Sequence, residues 1–297
     1  MRYLRAGAAL VAFGLLLAAC GSPAPPSGPS VVASTDVYGA IAGAVAGDAV
    51  RVTSIIHSAG SDPHEYESTP SDALAVSKAT VVVYNGAGYD DFATELLGAA
   101  RTKPTEIDVS ALSGFDTEAP DFNEHVWYSL PTVKKLADAL AADLAAADPA
   151  HAATFTANAK AFDAQVDGLI TKVDTIKARH SGARVAITEP VPGYLLRAAG
   201  LVVATPQAFS QAVEQGTDPP AAVVTANLST FTGPDKVAAL VENAQTEGPT
   251  TTQAEQAAAA NGVPVVKVTE TLPSGVTDYV TWMSRQVDAL GAALDIP

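Results

Sequence analysis

The stretch from Pro149 to His180, PAHAATFTANAKAFDAQVDGLITKVDTIKARH, decides the fold because it predicts one long helix in the middle of the chain. Its large apolar residues recur at intervals of seven, four, three, four and three positions, which is one face of a helix: Phe155, Phe162, Val166, Leu169, Val173 and Ile176. Asp148 and Pro149 form a typical start, as cap and first-turn proline. Gly182 is a typical stop. At 1.5 Å per residue this helix would be about 48 Å long.

Short β-branched segments lie on both sides of the helix. Four precede it and four follow it, at 31–35, 50–56, 80–84, 105–109, 184–188, 201–204, 237–241 and 263–269. Apolar strands that alternate with helices are typical of parallel sheets covered on both faces. We therefore predict an α/β protein with two lobes, each a parallel sheet flanked by helices, joined by one long rigid helix. The predicted lobes span 31–147 and 183–297, and the connecting helix spans 148–182.

Composition indicates a globular chain and argues against binding to nucleic acid. The chain has 297 residues, of which 48% are apolar and 16% charged, and this balance is that of a globular protein rather than a disordered one. The formal net charge of −15 argues against binding to nucleic acid. It is compatible with attraction of a cation, although most of this charge is expected to be solvated surface.

The first twenty residues are predicted to be a targeting segment. Two arginines precede an apolar run at 7–19, which is short for a transmembrane helix. The run ends in LAAC, which resembles the lipobox of bacterial lipoproteins, where the cysteine is acylated and becomes the mature N-terminus. We therefore expect a signal peptide at 1–20, a lipid on Cys20, a flexible Pro/Gly/Ser-rich tether at 21–30 and an extracytoplasmic location at the cell membrane. The alternative is an ordinary signal peptide with an incidental cysteine.

Two histidines have neighbourhoods that suit a metal ligand. His64 lies in DPHEYE, after the strand at 50–56, and Pro63 restricts the backbone just before the imidazole. His125 lies in NEHVWY, ahead of a helix expected to begin near Pro131. Either histidine could instead be ordinary polar surface. Cys20 is the only cysteine, so the mature fold has no disulfide and no thiolate to offer a metal.

Two glutamates in the second half follow predicted strands directly. Glu189 follows 184–188, and Glu270 follows 263–269. Ligands of open parallel sheets bind in the crevice outside the carboxyl ends of the strands, so we expect both carboxylates there, together with the two histidines. Glu189 could alternatively be a carboxylate favoured at a helix N-terminus, and Glu270 could be a solvated loop residue.

Five segments together resemble the zinc/manganese receptors among the solute-binding proteins of ABC transporters: DPHEYE, NEHVWY, ITEPVPGYLLRAAGL, QAVEQGTDPP and VPVVKVTETLP. The resemblance extends through the mature chain in the same order. It implies two α/β lobes joined by a long helix, with a metal buried between them and little hinge closure. It also implies an ABC permease and its ATPase as partners of a monomeric receptor.

The resemblance implies metal ligands at four positions of this chain. The family's first two ligands are histidines, matching His64 and His125. Its third ligand is histidine in zinc-type members and glutamate in many manganese-type members, and here it is Glu189. Its fourth is a carboxylate, most often aspartate, directly after the last strand of the second lobe. Glu270 stands there, a departure in side-chain length that leaves the coordination geometry open.

The ligand set favours a dication. Two neutral imidazoles and two carboxylates carry a formal charge of −2, and carboxylate oxygens suit Mn²⁺ or Fe²⁺. Zn²⁺ also accepts histidine and carboxylate ligands. Zinc-type receptors often carry a histidine-rich acidic loop in the first lobe, whereas 111–124 is acidic without histidine until His125. We therefore expect Mn²⁺ first and Zn²⁺ second, with Fe²⁺ as a further possibility.

Two alternative functions are those of a cell-surface zinc-dependent hydrolase and of a surface adhesin. His64-Glu65 begins a zincin-like HExxH, but that motif needs histidine at the position of Ser68. Four protein ligands would also leave no place for an activated water. We therefore expect a receptor and not an enzyme. Nothing in the sequence encodes a partner for adhesion.

Asp278 competes with Glu270 for the place of the fourth ligand. It has the family's commoner side chain and lies eight residues further on. It also stands at the start of a predicted helix that continues through Trp282 and Val287, where a carboxylate has an ordinary capping role. We therefore predict that Asp278 caps this helix and that Glu270 is the ligand.

Overall fold

The computed structural model describes residues 28–58 and 60–295. The predicted signal peptide, Cys20 and most of the predicted tether lie outside the described residues. None of the helices in the described ranges is both long and apolar enough to span a membrane.

The described chain forms two four-stranded parallel sheets, as predicted. The first has the order β2-β1-β3-β4 and the second the order β6-β5-β7-β8. The strands are β1 (Ser30–Thr35), β2 (Arg51–Ile56), β3 (Val81–Tyr84), β4 (Thr105–Asp108), β5 (Arg184–Ile187), β6 (Val202–Val203), β7 (Ala239–Asn243) and β8 (Val265–Val268). All eight overlap the predicted segments. The seventh and eighth begin two residues later than predicted, and the seventh extends two residues further, to Asn243.

Helices cover the sheets and connect their strands. They are α1 (Asp36–Ala46), α2 (Pro70–Lys78), α3 (Asp91–Ala99), α4 (Val109–Ser113), α5 (Leu130–Ala147), α6 (Ala152–His180), α7 (Gly193–Ala198), α8 (Gln207–Glu214), α9 (Ala221–Ser229), α10 (Pro249–Ala260) and α11 (Tyr279–Leu294). Short 3₁₀ turns occur at Gly47–Ala49, Val126–Tyr128 and Pro149–His151.

The long helix between the lobes is confirmed. Its first predicted turn is a 3₁₀ turn, in which the Asp148 carboxylate accepts from the Ala150 amide at 3.2 Å, and α6 then runs without interruption to His180. The predicted apolar face, Phe155, Phe162, Val166, Leu169, Val173 and Ile176, is buried. The helix packs against α1 and α5 of the first lobe and α11 of the second, so it joins the two lobes.

One hydrophobic core runs through both lobes. It includes Val31 and Val83 of the first sheet, the buried face of α6, and Val185 and Val241 of the second sheet. Because interiors of this kind are close-packed, a hinge movement between the lobes would have to separate apolar surfaces. The fold therefore presents the site between the lobes on a stiff frame.

The start of α11 resolves the role of Asp278. Its carboxylate accepts a hydrogen bond of 2.6 Å from the Thr281 amide, which is the geometry of an N-cap. The carboxyl end of β8 leads instead to Glu270, whose amide donates to the Gln245 side chain at 2.7 Å. Asp278 is thus a capping residue, as predicted.

Candidate metal centre

A crevice of about 600 Å³ opens between the lobes at the carboxyl ends of the strands. Three of the four predicted ligands line it, namely His64 from the first lobe and Glu189 and Glu270 from the second. The fourth, His125, is buried at its wall and faces Glu214, which is another residue of the lining. The structure therefore brings all four predicted residues to one crevice.

His125 is held in a defined tautomer. Only 1% of the residue is exposed, and its Nδ1 lies 2.7 Å from Asn123 Oδ1. Asn123 Nδ2 donates to the Pro190 carbonyl at 2.8 Å, so Oδ1 is an acceptor and His125 Nδ1 must carry the hydrogen. Burial, and secondarily the neighbouring His64, lowers the pKa of His125 to about 3. Its Nε2 is therefore a neutral lone-pair donor facing the crevice, as a metal ligand requires.

The loop that carries His125 is anchored to the first sheet rather than placed directly at a strand end, which differs from our expectation. Asn85, which is fully buried after β3, donates from Nδ2 to the Glu124 carbonyl at 3.0 Å. The buried Asp90 carboxylate in turn accepts from the Asn85 and Gly86 amides at 2.7 and 2.9 Å. Sequence spacing could not show this anchoring, because 39 residues separate Asn85 from Glu124.

His64 approaches the crevice from the loop after β2. Its amide donates to Asp62 Oδ1 at 2.9 Å, which fixes a local turn at DPH. The imidazole lies edge-on to the Tyr89 ring at a centroid distance of 5.0 Å. Its Nε2 is 3.9 Å from Glu124 Oε1, and 29% of the side chain is exposed. His64 is thus the member of the set that solvent reaches most easily.

Glu189 lies in the crevice wall directly after β5, with 3% of the residue exposed. Its Oε2 accepts a hydrogen bond from Nδ2 of Asn243, the last residue of β7. Burial raises its pKa, whereas the hydrogen bonds from Asn243 and Thr246 act in the opposite direction. A carboxylate in this position is expensive to ionise without a positive partner.

Glu270 completes the predicted set and connects the lobes. Its Oε1 accepts a hydrogen bond of 2.8 Å from the Tyr89 hydroxyl of the first lobe. Burial raises the pKa of Glu270 to about 8, with Glu189 adding to the rise and the Tyr89 hydrogen bond opposing it. The pKa of Tyr89 lies well above its usual value because of burial and the adjacent Glu270, so its hydroxyl keeps the proton that it donates.

Two carboxylates that sequence reasoning missed lie nearest to His125. Among the described residues, Glu124, His125 and Glu214 form a group whose donor atoms all lie within 4.8 Å of one another. Glu214 Oε1 is 3.5 Å from His125 Nε2. Burial raises the pKa of Glu214 to about 9, and the charges of Glu124 and Glu189 contribute. Glutamate is mostly a surface residue. Neither the position of Glu124 in NEHVWY nor that of Glu214 in QAVEQG therefore indicated a metal ligand.

Further hydrogen bonds join the lobes beside the crevice. The Tyr194 hydroxyl donates to the Asn123 carbonyl at 2.7 Å, and the Tyr128 hydroxyl donates to the Thr269 carbonyl at 2.6 Å. The Tyr279 hydroxyl donates to the Trp127 carbonyl at 2.7 Å. These three hydrogen bonds tie the two walls of the site together.

Two α/β lobes on a long helix, with histidines and carboxylates meeting between them, are the architecture and the kind of site that the resemblance to metal receptors implied. The sequence matches the family described as ZnuA, zinc-uptake complex component A, periplasmic, over residues 31–293. The chain belongs to this family, which is one of solute-binding receptors and not a known class of enzyme.

Similar proteins have names that specify different metals. The chain is 32% identical over 170 residues to the iron ABC transporter substrate-binding lipoprotein MtsA of Streptococcus pyogenes serotype M1, covering 52% of this chain and 54% of the relative. It is 32% identical over 160 residues to the manganese-binding lipoprotein MntA of Halalkalibacterium halodurans, covering 52% and 51%. The matched region thus spans about half the length of these curated relatives.

A solved structure supports the fold. The laminin binding protein Lmb of Streptococcus agalactiae, described as bifunctional with adhesin and metal transporting activity, superposes with a TM-score of 0.75. The likeness covers 90% of this chain and 100% of that chain at 20% identity. At this level of identity the likeness is one of fold.

Proposed function

We propose that this protein binds one divalent transition-metal ion in the crevice between its lobes and delivers it to an ABC permease driven by an ATPase. The observation that carries the proposal is the buried His125, whose Nδ1 is bonded to Asn123 and whose Nε2 faces the carboxylates of the crevice. A buried imidazole beside two partly buried carboxylates, with side-chain exposures of 21% and 16%, is a costly arrangement, and a cation bound between them offsets the cost.

The proposed ligands are His64, His125, Glu189 and Glu270. Their support is that they reach one crevice from both lobes and that three of them are oriented by a side-chain hydrogen bond, which is usual around metal ligands. Asn123 orients His125, Asn243 bonds Glu189 and Tyr89 bonds Glu270. The metal is the transported ligand and not a catalytic cofactor, so the orientation of the ligands would contribute to selective binding and not to catalysis.

The proposed cargo is Mn²⁺, with Zn²⁺ as the second candidate and Fe²⁺ as a further possibility. The donor set contains two carboxylates, both from the second lobe, and their oxygens suit Mn²⁺ and Fe²⁺. The family is described by zinc uptake, and the two relatives above are named for iron and manganese. These names leave the metal open, so the preference rests on the donor chemistry of this chain.

The proposed location is extracytoplasmic, at the cell membrane, through a lipid on Cys20. The curated relatives named above are lipoproteins of metal transporters, and LAAC ends an apolar leader here. We propose a monomer that reaches its permease by way of the tether at 21–30. A Pro/Gly/Ser-rich tether would allow the lobes to turn towards the permease.

The hydrolase and adhesin alternatives have less support. A hydrolase needs an open coordination position and a water-activating group, whereas carboxylates crowd the imidazoles here. The likeness to a laminin binding protein is one of fold at 20% identity, and it does not specifically favour adhesion.

Replacing Glu270 by alanine is expected to weaken metal binding at least tenfold, or about 1.4 kcal/mol, because a buried carboxylate ligand is lost. Asp278→Ala is the matched control: it removes the cap of α11, at a cost of about 1 kcal/mol of folding stability, and leaves metal affinity unchanged. Calorimetric titration of both variants with Mn²⁺ and Zn²⁺ tests the proposal. The reverse result, binding lost with Asp278→Ala and retained with Glu270→Ala, would show that the ligand has been misassigned.

Metal affinity is expected to rise as the pH increases from 6 to 8. A bound dication needs ionised carboxylates, and the pKa of Glu270 is raised to about 8 by burial and that of Glu214 to about 9. Below these values the ion must displace a proton. The pKa of His125, lowered to about 3, excludes it as the source of the effect. Titrations in buffers of different ionisation enthalpy should therefore detect protons released on binding at pH 7, and a flat affinity without proton release would contradict this account.

A further inference from the structure

Glu214 is the last residue of α8, and its surroundings are unfavourable for a carboxylate in three respects. Its side chain is 16% exposed, and its Oε1 is fully buried without a hydrogen-bond donor among the described residues. The C-terminal end of a helix carries a partial negative charge, which repels an anion. Glu189 and Glu270, by contrast, each accept a hydrogen bond from a neighbouring side chain. A cation beside Glu214 would relieve all three costs.

The position of Glu214 shows where such a cation would lie. Donor atoms bound to one transition-metal ion are about 3 to 4.5 Å apart, because each bond is about 2.0–2.2 Å long. Glu214 Oε1 is 3.5 Å from Nε2 of His125, and Glu124 lies with both inside a 4.8 Å limit. His125 is 1% exposed, so its ring is fixed towards these two oxygens. The distance between Glu214 and His125 suits one shared ion, and Glu124 lies close enough to join it after a small movement of its side chain.

We propose that Glu214, together with Glu124, coordinates the transported ion beside His125, and that these two carboxylates favour six-coordinate Mn²⁺ or Fe²⁺ over Zn²⁺. This inference rests on the proposed metal-binding function and extends its ligand set. With His64, Glu189 and Glu270 the crevice offers six protein donors, four of them carboxylates. Zn²⁺ in protein sites is usually four-coordinate, whereas oxygen-rich sites of higher coordination number suit Mn²⁺. The additional carboxylates would thus strengthen Mn²⁺ binding more than Zn²⁺ binding.

The test compares the full mature chain with Glu214→Gln and Glu124→Gln. Glutamine keeps the side-chain volume and removes the anionic donor. We expect each variant to lose at least tenfold in Mn²⁺ affinity and less than threefold in Zn²⁺ affinity. Glu95→Gln, on the exposed face of α3, is the matched control and should leave both affinities unchanged. Equal losses for the two ions, or no loss for either, would overturn the inference.

The visible spectrum of the Co²⁺-loaded protein supplies a second readout that a purely structural role would not change. Six-coordinate Co²⁺ absorbs weakly and four-coordinate Co²⁺ absorbs strongly. The unaltered chain should therefore give weak bands that intensify in Glu214→Gln, and an intense four-coordinate spectrum in both proteins would overturn the inference. If the unaltered chain binds no metal, the proposed function itself fails. If it binds metal and Glu270→Ala weakens binding while Glu214→Gln does not, only the present inference fails.

Discussion

Replacing His125 by alanine is expected to weaken metal binding at least a hundredfold, or about 2.7 kcal/mol. The substitution removes a buried nitrogen donor that Asn123 has already oriented, so no neighbouring group can replace it without moving the loop. It also leaves Glu214 without its nearest imidazole, at 3.5 Å in the unaltered protein. Titration with Mn²⁺ and Zn²⁺ measures the loss directly.

A matched histidine substitution separates ligand loss from a general effect on folding. His151 lies in the turn before α6, where its Nδ1 is 2.7 Å from the Asp148 carboxylate and half of its side chain is exposed. His151→Ala should therefore leave metal affinity unchanged. A His125→Ala variant that folds and still binds either ion within threefold of the original affinity would rule out His125 as a ligand.

Metal ions should stabilise the folded protein strongly. A ligand that binds only the folded state contributes RT ln(1 + [L]/Kd), roughly 4 kcal/mol at a thousandfold excess over Kd. A domain of this size gains about 2–4 °C in Tm per kcal/mol, so the melting temperature should rise by roughly ten degrees. Calorimetry with Mn²⁺, with Zn²⁺ and with a chelator measures the shift. At the same ion concentrations, a hundredfold weaker site in His125→Ala should gain only about 1.4 kcal/mol, roughly a third of the shift. Identical curves with metal and chelator for the unaltered chain would contradict a site formed by folding.

Much of the fold could be predicted because its signals are local and repeated. The apolar face of 149–180 has a helical period, and that period survives because α5 and α11 bury the face. The central strands β1, β3, β5 and β7 are almost wholly buried, which explains why their segments are rich in apolar residues. The shifted starts of β7 and β8 were not predictable, because sequence periodicity does not encode where the hydrogen bonds between strands begin.

The candidate site was only partly predictable. Glu270 and Glu189 follow strands directly, so the rule about carboxyl ends places them in the crevice. His125 owes its position to a buried asparagine 40 residues earlier, Asn85, and to a side chain two residues away, Asn123. Glu214 reaches the site from the far end of α8, and nothing in its local sequence distinguishes it from a surface glutamate. His125 and Glu214 are recognised as site residues by their burial in the tertiary fold, and not by their residue type.

Direct titration of a soluble form of the protein, from Gly21 onward and therefore without the lipid-bearing cysteine, tests the central claim most simply. The protein is first stripped with a chelator and then titrated separately with Mn²⁺, Zn²⁺ and Fe²⁺ at pH 7.5, and the bound metal is counted after removal of the excess. This account predicts saturable binding of one dication per chain, competition between the ions for the same site, and loss of that site in His125→Ala. A chain that retains none of the three ions would contradict the assignment of the crevice as a metal site.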